Sequence, residues 1–96
     1  MSYEIVWLVS AAQDVARLKE FIQQKNPAAA QRAARRIKEA VKILAENSEA
    51  GKPVEELHSF RDLFIPYGSG NYVLRYRKEK NKVIISKVKH SREEDF

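Results

Sequence analysis

NYVLRYR (Asn71–Arg77) is followed, after the polar connector KEKN (Lys78–Asn81), by KVIISKVK (Lys82–Lys89). In the first run Tyr72, Leu74 and Tyr76 alternate with Val73, Arg75 and Arg77, the period of two of a strand that buries one face. The second run is rich in β-branched residues, which suit a pleated surface, and the connector has hairpin length. The two runs predict an antiparallel hairpin, with Tyr72 and Tyr76 under the rest of the molecule and Arg75 and Arg77 on the other side. Val73, Val83 and Ile85 are expected beside Arg75, Arg77 and Lys87 on that second side, a placement that a one-residue slip of register would invert.

Working outward, RDLFIPY (Arg61–Tyr67) is a further strand, joined to the hairpin through Gly68-Ser-Gly70. Pro66 has no N–H for a ladder and is expected to limit that pairing. Asn47–Pro53 has loop composition, and Val54–Ser59 carries too little pattern to assign. Upstream, NPAAAQRAARRI (Asn26–Ile37) opens a long helix with a favoured N-cap and a proline at its first position. Its apolar face is Ala30, Ala33, Ala34, Ile37, Val41 and Leu44. The opposite face carries Arg32, Arg35, Arg36 and Lys42, a solvated row or, read as a cationic row, a phosphate site. A preceding helix has Val15, Leu18, Phe21 and Ile22 as its stripe and Ser10 with Gln13 as a capping box. The chain begins with a strand over Tyr3–Val9, and Trp7 and Phe21 are expected in the core.

These elements predict one domain over residues 1–96 of class α+β: an N-terminal strand and an α-helical hairpin packed on one face of a small, mainly antiparallel β-sheet. Ninety-six residues hold one core and no more. Without cysteine there is neither a disulfide framework nor a thiolate metal site, and two histidines make a poor metal centre, so no cofactor and no metal are expected. No apolar run is long enough to span a bilayer, and the N-terminus lacks the pattern of a signal peptide, so a cytoplasmic protein with no membrane partner is expected.

The net charge of +5 is unevenly placed: nine basic residues fall between Arg61 and Arg92 against two acidic ones. A helical hairpin on one face leaves the other face of the sheet open, apolar and ringed by positive charge. Such patches mark partner sites. His58 is expected on the surface, and His90 either anchors the tail that follows the last strand or, titrating near neutrality, acts as an acid or base.

Taken together, NPAAAQRAARRI, AGKPVEEL, FRDLFIPYGSGNYVLRYR and the closing VIISKVKHSREE resemble the RelE/ParE superfamily of bacterial type II toxins, and within it the ParE branch. The resemblance covers nearly the whole chain. It implies a toxin neutralised by a cognate antitoxin, whose C-terminal segment wraps the toxin and covers its basic open face. ParE-like members inhibit DNA gyrase by direct protein contact, whereas RelE-like members are ribosome-dependent mRNA endonucleases.

RNA cleavage through the ribose 2′-OH needs a base, an acid and cations for the phosphorane. RelE-like chains carry lysines in the second strand, an arginine after the tyrosine of the third, an arginine after the last strand and a terminal tyrosine. Here the corresponding residues are Asp62–Ile65, Val73, His90 and Phe96, and the set is mostly missing. The resemblance therefore favours a gyrase inhibitor that is not an enzyme, binding its target or antitoxin through Arg61, Arg75, Arg77, Lys87, His90 and Arg92, with no direct nucleic-acid contact. The alternative is an mRNA endonuclease with His90 as acid or base and Arg75, Arg77 and Arg92 on phosphate; some nucleases of this fold do pair a late histidine with a terminal phenylalanine.

Overall fold

The computed structural model describes residues 2–68 and 70–91. The elements run β1 (Glu4–Trp7), α1 (Val9–Gln23), α2 (Pro27–Glu46), β2 (Lys52–Val54), β3 (Leu57–Tyr67), β4 (Gly70–Glu79) and β5 (Lys82–His90). The five strands form one sheet in the order β1-β5-β4-β3-β2, in which only the β1–β5 pair is parallel. This is the α+β architecture that the pattern predicts.

Asn26 caps α2 as its sequence demands, its side chain accepting from the Ala29 N–H at 3.2 Å. Ala30, Ala33, Ile37, Val41 and Leu44 are buried, so the alanine half of the stripe lets α1 approach closely. Ala33, Ile37, Val41 and Leu44, with Ala11 and Leu18 of α1, pack on Ile65, Tyr72, Leu74, Tyr76, Val83, Ile85 and Val88 of the sheet, and this is the core. Burying a Leu or Ile side chain in it contributes about 1.5–3 kcal/mol.

The hairpin differs from strict alternation at one point. Opposite Arg75 and Tyr76 the ladder shifts from Lys87 to Ile85, leaving Ser86 as the extra residue of a β-bulge. Val83, Ile85 and Val88 can thereby all face the helices, while Ile84, Lys87 and Lys89 face the opposite way. The expectation that Val83 and Ile85 lie on the open face is thus corrected: a strand that changes parity at a bulge cannot be read by a period of two. The bulge is also where α1 docks. The Ser10 hydroxyl donates to the Ser86 carbonyl at 2.7 Å, the Val88 N–H donates to Asp14 Oδ2 at 2.9 Å, and the Ser86 hydroxyl donates to the Arg75 carbonyl at 3.1 Å.

Other local expectations fail for related reasons. Ser10 is spent on that long-range bond, so α1 begins at Val9 after Leu8 and has no side-chain cap. The first strand accordingly ends at Trp7, and Trp7, on an edge strand, is 37% exposed. Phe21 lies off the buried stripe, 61% exposed, with Lys25 Nζ 5.1 Å from its ring. The stretch around Pro53 forms the short edge strand β2, where a missing N–H is tolerated. The unassigned Val54–Ser59 stretch closes β2 and opens β3. Nor does Pro66 stop the ladder, which runs through the Pro66–Asn71 pair to Tyr67–Gly70.

Candidate functional site

Pairing registers assign each predicted site residue to a side of the sheet. Arg75, Arg77 and Lys87 share the open side with Asp62, Phe64, Val73 and Ile84. Arg75 is not presented as a bare cation. Its Nε and a terminal nitrogen donate to the two carboxylate oxygens of Asp62, its cross-strand neighbour, at 2.8 and 3.0 Å, with both side chains mostly buried. Such a bidentate geometry is among the stronger charge-assisted contacts a protein makes. Arg77 is ion-paired with Glu79 two residues along the strand; the hydrogen bond from Arg77, and then its charge, hold the Glu79 carboxyl below the usual carboxylate range. Val73 and Ile84 are nearly covered by the flanking side chains, and Phe64, with Lys52 Nζ 5.9 Å from its ring, is the exposed apolar part of this face.

Arg61 and His90 lie on the other side. Arg61 stands opposite Tyr76 in the ladder, and its guanidinium donates to the Gly51 carbonyl at 2.7 Å and pairs with Glu49 at 3.6 Å. Tyr76 holds the same loop: its hydroxyl accepts from the Gly51 N–H at 2.9 Å and donates to the Ser48 carbonyl at 2.8 Å. Burial pushes the Tyr76 phenol above its ordinary value of 10.0. Gly51 is required there, since a Cβ would sit 2.7 Å from the Tyr76 ring. His90 stands edge-on to Tyr72 at 5.3 Å, and Tyr72 in turn lies 5.4 Å from Tyr67. Arg92 and Phe96 fall outside the described residues. His58 is exposed, as expected. Of the six predicted residues, three share a face, two are on the far side and one is undescribed.

A further cationic cluster is assembled by the tertiary fold. Arg32, Arg35, Arg36 and Glu39 of α2 line a cleft of about 430 Å³ with Pro66 and Tyr67 at the end of β3 and Gly68 of the turn that follows. Arg36 donates to the Pro66 carbonyl at 2.8 Å, and the Tyr67 hydroxyl donates to the Ala29 carbonyl at 2.9 Å, so helix and strand are tied together at both ends of the contact. The i, i+3, i+4 spacing of these arginines is visible in the sequence; the strand end that makes a cleft of them is not. Among the described residues no three His, Asp or Glu side chains gather as metal ligands. No helix among them is long and apolar enough to cross a membrane.

Comparison with known proteins agrees with the fold and adds the family. Residues 5–95 match the model of the ParE toxin of type II toxin–antitoxin systems, parDE. Toxin RelE2 of Caulobacter vibrioides is 33% identical over 88 residues, which are 92% of this chain and 94% of that protein. Toxin RelE3 of the same organism is 31% identical over 83 residues, 86% of this chain and 88% of that one. Among solved structures, the chromosomal ParDE system of P. aeruginosa superposes with a TM-score of 0.80 at 22% identity, covering 93% of this chain and 96% of that one. The RelBE2 toxin–antitoxin complex of Mycobacterium tuberculosis superposes with a TM-score of 0.62 at 22% identity, covering 94% and 99%. The chain, a bulged five-stranded sheet under a helical hairpin, belongs to the ParE toxin family of type II toxin–antitoxin systems.

Proposed function

We propose that this toxin inhibits DNA gyrase by direct protein contact, without cutting nucleic acid, and that a cognate antitoxin neutralises it. The observation that carries the reading is the division of the nuclease candidates. His90 packs against Tyr72 on the helix side of β4, whereas Arg75 and Arg77 face the open side and each already binds a carboxylate. An acid or base must meet the phosphate-binding cations at one reacting group, and a sheet stands between them here. The open face, with Phe64, Lys52 and Lys87 accessible around the paired arginines, offers a protein partner apolar area rimmed by charge. Arg75, Arg77 and Lys87 are the proposed partner contacts on this face. Arg61 contributes by fixing the Glu49–Gly51 loop, while His90 closes β5 and Arg92 lies outside the described residues.

The second reading, a ribosome-dependent mRNA endonuclease, is favoured by the RelE names of the relatives at 31% and 33% identity. The two are separated by assay. The purified toxin is expected to block gyrase supercoiling of relaxed plasmid and to leave ribosome-bound mRNA intact in primer extension. Arrest of growth with unaffected gyrase, together with mRNA cuts that vanish in His90→Ala, would replace the first reading by the second. A structure of the complex with its antitoxin shows directly which of the open-face side chains that partner covers.

A further inference from the structure

The described arginines fall into two groups by what they hold. Arg17, Arg61, Arg75 and Arg77 each have a carboxylate in ion-pair contact. Arg32, Arg35 and Arg36 do not among the described residues, although Glu39 lines the same cleft. Three guanidinium groups along one helix face repel one another, a cost that a docked anion removes. Arg36 is already fixed by its bond to the Pro66 carbonyl, so part of the ordering that binding requires is made in advance. The cleft is lined by Pro66 and Tyr67 as well as the arginines, and Glu39, one helical turn beyond Arg35 and Arg36, interrupts its positive charge. A phosphodiester backbone wants an uninterrupted cationic track; a carboxylate beside an apolar side chain suits an interrupted, apolar-walled pocket better.

From this we infer that the cleft between α2 and the end of β3 receives an acidic, partly apolar segment of the protein on which the toxin acts, with Arg32 and Arg35 as the carboxylate-binding side chains. The inference rests on the reading of gyrase as a protein target, and it moves the main charged contact from the open sheet to the helix. Both side chains are exposed on α2, so their replacement leaves the fold intact.

The test compares wild-type toxin with Arg32→Glu/Arg35→Glu, and with Arg32→Gln/Arg35→Gln as the milder pair, in gyrase supercoiling of relaxed plasmid. Thermal melting verifies that each variant folds. At least tenfold more of the charge-reversed toxin is expected to be needed for half inhibition, with the glutamine pair between, and wild-type potency should fall with added salt more steeply than that of either variant. Equal potency of a folded charge-reversed toxin overturns the inference alone, whereas a wild-type protein inert on gyrase overturns the reading beneath it as well. Two further outcomes also overturn it. One is an equal loss of affinity for a naked 20-base-pair DNA duplex, which assigns the cleft to nucleic acid. The other is an equal loss of antitoxin binding, which assigns it to that partner.

Discussion

The open face of the sheet and the outer face of α2 carry similar numbers of arginines and differ in what those arginines can do. On the sheet, Asp62 takes the Nε and one terminal nitrogen of Arg75 and Glu79 takes Arg77, while on the far side Arg61 serves the Glu49–Gly51 loop. On α2, Arg32 and Arg35 are exposed and line a cleft, with no ion pair among the described residues. Local positive charge is therefore not the same as available positive charge. A carboxylate directly across a strand pair, 13 positions away in the chain, cancels a cation that composition counts in full.

The sharpest way to strengthen this contrast is to cut the wiring of the sheet where it is deepest. Tyr76→Phe leaves the Gly51 N–H and the Ser48 carbonyl without their buried partner. Each orphaned group costs about 1–3 kcal/mol, so a loss of roughly 2–6 kcal/mol in urea denaturation is expected for the pair. The phenol also sets an alkaline limit. Because burial raises its folded value above 10.0, the folded state holds the proton more tightly; that contribution is complete below pH 10.0 and is lost as pH rises through the folded value. Tyr76→Phe should lack this alkaline decline while being less stable at neutral pH.

Asp62 gives the next largest effect and bears on the contrast most directly. Removing one partner of a largely buried pair strands the other, and Asp62→Ala is expected to cost about 2 kcal/mol, against about 0.5 kcal/mol or less for Arg35→Ala on the exposed helix. A double-mutant cycle between Asp62→Ala and Arg75→Ala isolates the coupling. A coupling below about 0.5 kcal/mol would put Arg75 in the same class as Arg35, and the two regions would no longer differ.

The distinction bears on how much could be read without coordinates. Alternation in Asn71–Arg77 places Tyr72, Leu74 and Tyr76 correctly, because the bulge falls in β5 and not in β4, β3 pairs with β4 in one unbroken register, and the helices bury one side. The α2 stripe and its Asn26 cap are legible for the same reason: the determinants are local. Parity in β5 is not, since the Ser86 bulge is stabilised by Ser10 and Asp14, more than 70 positions earlier. The same holds for the capping box, which Ser10 abandons for that contact. Arg61, His90 and the open-face arginines are adjacent in type and in sequence region but divided by the pleat, and the cleft at Arg32, Arg35 and Arg36 exists only because the end of β3 comes to lie against α2. Residue chemistry was legible, and its neutralisation by distant carboxylates was not.

The smallest effect separates a surface pair from a structural one within the sheet itself. Glu79 is fully exposed, yet its contact with Arg77 depresses its carboxyl below the usual range. A depressed folded value means that the unfolded chain binds the proton more readily; the stabilisation is present above the ordinary value of 4.5 and disappears as pH falls through the folded value. Wild type and Glu79→Gln should therefore differ slightly at pH 7, converge once the pH has fallen below the folded value, and converge also at pH 7 in about 1 M salt, where screening acts over roughly 3 Å. The Asp62–Arg75 pair, sheltered from solvent, should keep most of its coupling in the same salt. If both pairs fade together, Arg75 is held no more firmly than Arg77, and either guanidinium can exchange its carboxylate for that of an arriving partner; if only the exposed pair fades, Arg77 becomes the open-face arginine that a partner can recruit while Arg75 stays committed to the fold.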